Sequence, residues 1–120
     1  MAATILFVDD EADLQHMVAA FFECHGYEVI SAGNTAEARQ RAEGKTFQAI
    51  VLDANLPGEG STRLLDFFRQ THAKTPVIIY TGREADDEIV KDLLAHGAKR
   101  HLLKDGSLEN LLKAVTETSG

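Results

Sequence analysis

Asp9, Asp10, Asp53, Thr81 and Lys104 are the residues of this sequence whose types could do chemistry together. Each stands where a short apolar run ends: Ile5–Val8 before the first two, Ile50–Leu52 before Asp53, Val77–Tyr80 before Thr81, and Leu102–Leu103 before Lys104. Carboxylates brought together repel. One pair about 4 Å apart costs about 4 kcal/mol at an effective dielectric of about 20. A hard divalent cation would offset that repulsion, and Mg²⁺ takes one or two carboxylates while leaving room for waters and phosphate oxygens. Lys104 adds a fixed positive charge and Thr81 a hydroxyl donor. A carboxylate nucleophile, a metal and a Lys/Thr pair for anionic oxygens describe a phosphoryl-transfer site. Taken singly, each residue has a plainer reading. An Asp pair after a strand is commonly a helix N-cap, Asp53 could open a turn, and a lone lysine is usually solvated. Only their meeting at one place makes a site.

That meeting depends on the elements that carry them. Five β-like runs, Thr4–Val8, Tyr27–Ala32, Gln48–Asp53, Pro76–Thr81 and Arg100–Leu103, alternate with five helical patterns. Four of the runs read as nearly all apolar, as strands covered on both faces do, and the second is mixed, as an edge strand is. The first helix carries Leu14, Met17, Val18 and Phe21 on one face and stops at Gly26. The second starts at Asn34 with Glu37 three residues on, a capping-box-like start, and stops at Gly44. The third runs from Ser61 through Leu64, Leu65 and Phe68. The fourth carries Ile89, Val90, Leu93 and Leu94 and stops at Gly97, and the fifth begins near Ser107 and carries Leu108, Leu111, Leu112 and Val115. Strict alternation predicts a doubly wound α/β fold of the flavodoxin-like (βα)5 kind, a parallel sheet in the order 2-1-3-4-5. In that order the polar strand ends converge on the switch point between the first and third strands. The inert end, Ser31-Ala32-Gly33, lies farthest away.

Length and composition set outer limits. A chain of 120 residues, 44% hydrophobic and 26% charged, is expected to form one globular domain over residues 1–120. A net charge of -7 repels a phosphate backbone, so no direct nucleic-acid contact is expected. The apolar runs are too short to span a bilayer, so no membrane partner is expected either, and the first residues lack a signal peptide's basic start. The lone Cys24 fits a cytoplasmic setting. His16, His25, His72 and His96 show no metal-ligand spacing and read as surface or helix-end residues. Met17 and the phenylalanines read as core.

In their order and spacing, Ile5-Leu6-Phe7-Val8-Asp9-Asp10-Glu11, Val51-Leu52-Asp53, Leu56-Pro57-Gly58, Tyr80-Thr81-Gly82, Gly97-Ala98 and Leu102-Leu103-Lys104 resemble the receiver domain of two-component response regulators, over Thr4 to about Thr118. That resemblance implies roles. Asp53 would accept a phosphoryl group from a histidine kinase or phosphotransfer protein. Asp9, Asp10, Asp53 and the backbone carbonyl of Asn55 would hold Mg²⁺, with Asp10 the more direct ligand. Lys104 and Thr81 would bind the phosphoryl oxygens, and Gly82 would leave them access. The domain would not be an enzyme in the ordinary sense, catalysing only its own phosphorylation and dephosphorylation. Its signal would leave through the face of the fourth helix, fifth strand and fifth helix, toward a downstream protein, an output domain outside these residues, or a second copy in a dimer.

Two positions depart from the family's usual pattern. Asp105, then Gly106, follow the lysine where a proline in a cis peptide is usual. A cis bond before a non-proline residue costs about 3 kcal/mol, so a trans bond is expected, with Gly106 absorbing the altered path. His101, three residues before Lys104, stands at the switch position that usually holds Tyr or Phe.

Three rival readings fit less well. A haloacid-dehalogenase-type, Mg²⁺-dependent aspartyl-phosphate phosphatase needs a second Asp two residues after its nucleophile, where this chain has Asn55, and usually places the nucleophile on the first strand. A flavodoxin-type electron carrier needs a Ser/Thr/Gly-rich loop after the first strand, where Asp9-Asp10-Glu11 would repel the flavin phosphate. A non-phosphorylated receiver-like interaction module typically loses an acidic or lysine position, and none is lost here.

Overall fold

The computed structural model describes residues 3–54, 56, 60–82, 87–105 and 107–119. The expectations for Asn55 and Gly106 therefore lie outside the described residues. The elements follow one another as β1 (Ala3–Val8), α1 (Ala12–Glu23), β2 (Tyr27–Ala32), α2 (Thr35–Ala42), β3 (Ala49–Asp53), α3 (Ser61–Thr71), β4 (Val77–Thr81), α4 (Asp87–Ala95), β5 (Arg100–Leu103) and α5 (Leu108–Ser119). All strand pairings are parallel, and the sheet order is β2-β1-β3-β4-β5, the flavodoxin-like doubly wound arrangement that the alternation implies.

Alternate residues of each central strand feed opposite cores, as the two-residue period of a strand demands. Leu6 and Val8 of β1 join Ile50 and Leu52 of β3 in a layer closed by Leu64, Leu65 and Phe68 of α3, with Ala38 of α2 and Leu93 of α4. Ile5 and Phe7 join Val51, Ile78 and Tyr80 in the opposite layer, closed by Val18 and Phe22 of α1 and Leu111 and Val115 of α5. Each fully buried Leu, Ile or Phe contributes about 1.5–3 kcal/mol. The two layers hold β1, β3 and β4 rigidly enough to fix what their ends carry.

Two sequence expectations need correction. Met17 is 55% exposed, and the buried residues of α1 are Val18 and Phe22, with Leu14 and Phe21 packed partly against them. The centre of the buried stripe runs through positions 18 and 22, one helical turn apart, and Met17 falls on its flank. The second correction concerns β5, whose residues are exposed at three of four positions, so it is an open edge strand rather than a strand covered on both faces. The rest of the punctuation holds. The Asn34 side chain accepts from the Glu37 amide at 2.8 Å, and the Glu37 carboxylate accepts from the Gly33 amide at 2.8 Å. The Lys104–Asp105 peptide is trans, since the described backbone contains no cis bond. In place of the family's proline, the Asp105 carboxylate accepts from the Ser107 amide at 2.9 Å, and Ser107 Oγ accepts from the Asn110 amide at 3.3 Å to open α5.

Gly97 ends α4 with φ 110°, and a Cβ built there would lie 2.7–2.9 Å from three side-chain atoms of Arg69. Arg69 Nη1 in turn donates to the His96 carbonyl at 2.8 Å. Gly26, with φ 85°, has open space where its Cβ would go. Both alanine substitutions carry a left-handed backbone cost of about 1–2 kcal/mol, but only Gly97→Ala must also displace Arg69. Urea denaturation should therefore show Gly97→Ala to be the more destabilised variant. Equal losses would mean that Arg69 yields freely.

Candidate functional site

The site is built by strand order. β1 and β3 are neighbours with Val8 opposite Leu52, so Asp9 and Asp53 emerge side by side at the carboxyl edge. β4 lies next to β3 and ends in Thr81, and β5 lies beyond it and is followed by Lys104. The backbone ties the last two together, because the Lys104 amide donates to the Thr81 carbonyl at 2.6 Å. Asp9, Asp10 and Asp53 each offer a carboxylate oxygen, all within 4.8 Å of one another. Asp9 and Thr81 are fully buried and Asp53 is 5% exposed, while Asp10 faces solvent. Gly82 is half-buried, and among the described residues a Cβ there would meet nothing within 4 Å.

Lys104 brings a cation to the cluster. Its Nζ stands 2.6 Å from Asp9 Oδ2, 3.2 Å from Glu11 Oε1 and 3.6 Å from Asp53 Oδ2. Burial alone would lower the Lys104 pKa. Its close contact with Asp9, the charges of Asp53 and Asp9 and its hydrogen bond to Glu11 outweigh that and hold it above 10.5. Asp9 shows the opposite balance. Burial pushes its carboxyl above the ordinary 3.8, and this outweighs the lowering by Lys104 and by the Glu11 amide. That amide donates to Asp9 Oδ1 at 2.9 Å, whereas among the described residues buried Oδ2 has only the ion-pair contact, without hydrogen-bond alignment. An under-satisfied buried carboxylate oxygen beside two further carboxylates is a donor set that fits a hard cation.

The structure thus brings together Asp9, Asp10, Asp53, Thr81, Gly82 and Lys104, as the sequence predicts. His101 is exposed on β5, yet its Nε2 lies 2.9 Å from Thr81 Oγ1. Three further residues were not singled out from the sequence. Glu11 shares Lys104 with Asp9, and its place in the Asp9-Asp10-Glu11 run was the available signal. The Gln15 amide nitrogen donates to the Asp9 carbonyl at 2.5 Å, and Ser61 Oγ donates to the Asp53 carbonyl at 2.5 Å. These two steady the backbone of the carboxylates from α1 and α3, and nothing in their local sequence announces it.

The raised Asp9 pKa has a definite consequence for metal-free stability. The folded state holds this proton at pH values where the unfolded chain has released it. The contribution of Asp9 is therefore fully present below pH 3.8 and is lost as pH rises through the higher folded value. Wild type should lose stability relative to Asp9→Asn over that window, by an amount on the order of 1 kcal/mol. Chemical denaturation of the two proteins from pH 3.5 to pH 7, at about half-unit steps, reads the difference. A difference that is flat or reversed in sign would show Lys104 to outweigh burial.

Known proteins can now be set beside this geometry. The family described as "Response regulator receiver domain" matches residues 5–116. The phosphate regulon transcriptional regulatory protein PhoB of Pseudomonas aeruginosa is 33% identical over 98% of this chain and 53% of its own length. The nitrate/nitrite response regulator protein NarL of Escherichia coli is 29% identical over 98% and 55%. The chain thus spans about half the length of these relatives. Among solved structures, the chemotaxis response regulator CheY4 of Vibrio cholerae superimposes with a TM-score of 0.87 at 28% identity, covering 98% of each chain. A CheY-like receiver domain protein from Methanospirillum hungatei JF-1 gives 0.92 at 27% identity, over 99% of this chain and 94% of its own. Sequence match, fold and strand-end chemistry agree that this chain belongs to the response regulator receiver domain family of two-component signalling.

Proposed function

We propose that this receiver takes a phosphoryl group onto Asp53 from a histidine kinase or phosphotransfer protein, with Mg²⁺, and passes the resulting change to a partner through α4, β5 and α5. Phosphorylation on an aspartate is the general function of the family, whose members are signalling domains rather than classical enzymes. The observation that carries the reading for this chain is the position of Asp53, nearly buried at the end of a central strand with Lys104 3.6 Å away. An Asp53 oxygen forms the new bond to phosphorus as the bond from phosphorus to the donor's nitrogen or oxygen breaks, and the donor leaves with that electron pair. Lys104 offsets charge on the phosphoryl oxygens, and the Thr81 hydroxyl donates to one of them. Asp9, Asp10 and Asp53 are the described residues that would hold Mg²⁺, joined by the Asn55 carbonyl. The bound ion would neutralise the carboxylates and the incoming oxygens.

The exposed apolar side chains Ile89 and Leu94 on α4 and Leu103 on β5 support this face as the docking surface, for an output domain, a separate protein or a second copy. The names of the relatives, transcriptional regulators among them, favour an output in transcription control, exerted through that partner and not by direct DNA contact. Among the described residues no helix is long and apolar enough to cross a membrane, and we place the protein's work in the cytoplasm.

Incubation with Mg²⁺ and acetyl phosphate should add one phosphoryl group, seen by mass spectrometry, and Asp53→Asn should abolish it. Stoichiometric phosphorylation of Asp53→Asn would remove Asp53 from this role. Mg²⁺ at about 100 times its dissociation constant should raise stability by about 2.7 kcal/mol. A melting temperature indifferent to millimolar Mg²⁺ would remove the metal from the proposal.

A further inference from the structure

A cleft of about 410 Å³ opens at the amino edge of the sheet, at the start of β4, where α3, α4 and α5 end. Its charged lining is Arg69, His72, Lys74 and Lys99, and among the described residues no carboxylate lines it. That one-sided lining contrasts with the net charge of -7 of the whole chain. The acidic corner lies at the other end of β4. Val77 to Thr81 spans about 13 Å at about 3.3 Å per residue, more than the Debye length of about 10 Å at about 0.1 M salt. The cleft is therefore electrostatically separate from the phosphoryl site.

Cations near helix carboxyl ends are favoured by the helix dipole, but the helix ends do not use up these ones. Arg69 Nη1 donates to the His96 carbonyl at 2.8 Å, and the side chain lies in the space that a Cβ on Gly97 would take. The guanidinium is thereby fixed in place and keeps further N–H groups for another acceptor. Lys74 and Lys99 are exposed, and their side chains make no ion pair or hydrogen bond among the described residues. His72 is already committed, with Nδ1 2.7 Å from Thr71 Oγ1 and Nε2 2.8 Å from the Lys45 carbonyl. Thr118, on the α5 side of the cleft, has a buried hydroxyl with no hydrogen-bond partner among the described residues. A single carboxylate would leave most of this positive charge unmatched, whereas a phosphate carries more than one negative charge and pairs with arginine through two parallel hydrogen bonds. We propose that this cleft binds a phosphate-class oxyanion, inorganic or carried on a small molecule, through Arg69, Lys74, Lys99 and the Thr118 hydroxyl.

The test titrates inorganic phosphate, pyrophosphate and glycerol 3-phosphate into the full chain at fixed pH and ionic strength, followed by NMR. EDTA keeps divalent cations away from the acidic corner, so that binding there does not contribute. The amide resonances of Gly97, Lys99 and Thr118 should shift saturably while those of Asp9 and Asp53 stay still. Lys74→Met and Lys99→Met, which leave the core untouched, should each weaken binding by roughly tenfold, as expected for a charge lost beside the anion. Thr118→Val, which keeps the shape and the net charge, should weaken it by roughly two- to tenfold, the range of one net hydrogen bond. Lys74→Arg should keep the wild-type affinity. Tighter binding of the ester than of inorganic phosphate would assign the site to a small phosphorylated molecule, and the reverse to the free ion; either result supports the site. Shifts that rise linearly and are reproduced by chloride, or affinities unmoved by the lysine or the Thr118 substitutions, would overturn it.

Discussion

Asp9 Oδ2 and Lys104 Nζ stand 2.6 Å apart at the carboxyl edge of the sheet, joining the residues that follow β1 and β5 across the intervening ends of β3 and β4. That contact offsets part of the repulsion among the three carboxylates that share this corner. The lysine cannot satisfy them equally. It is closest to Asp9, is shared with Glu11, and stands farther from Asp53. Of the three carboxylates that the Lys104 ammonium contacts, Asp53 is the most distant, which suits the proposed role of its carboxylate as nucleophile. Burial pushes Asp9 toward its neutral form while Lys104 pulls it toward the charged one. The corner is poised for a further positive charge, and the hydrophobic layers on both faces of the sheet meet the cost of keeping it so.

β5 links this corner to the surface. It is followed by Lys104, it carries His101 against Thr81, and most of it is exposed. The Lys104 amide on the Thr81 carbonyl prevents the ends of β4 and β5 from shifting independently. On the proposed reading, a change in what Thr81 and Lys104 bind would reach the α4–β5–α5 face through this one short strand.

Much of this was legible in the sequence, and the reason is physical. Strands buried on both faces read as unbroken apolar runs, so β1, β3 and β4 and the polar residues that end them stood out, and strict alternation with helices pointed to a doubly wound parallel sheet, for which 2-1-3-4-5 was the expected order. What was not legible lay where periodicity carries little information. β5 is an edge strand whose apolar end, Leu102-Leu103, imitates a buried one. On α1 the apolar stripe is wide enough that Met17 and Phe22 were interchangeable by spacing, and only packing against β2 and α5 decides between them. Gln15 and Ser61 act through carbonyl groups of the site, and a side chain that serves a distant backbone atom leaves no local pattern. The hydrogen bond between His101 and Thr81 required knowing both strand register and side-chain direction.

The charge balance is tested most directly by titrating Mg²⁺ into wild type and Lys104→Met. If the lysine and the metal offset the same carboxylates, removing the ammonium group should tighten Mg²⁺ binding, by on the order of tenfold for a charge lost at this range. Unchanged or weaker binding by Lys104→Met, or no Mg²⁺ binding by the wild type, would contradict the view that Asp9, Asp10 and Asp53 form one cation site held ready by Lys104.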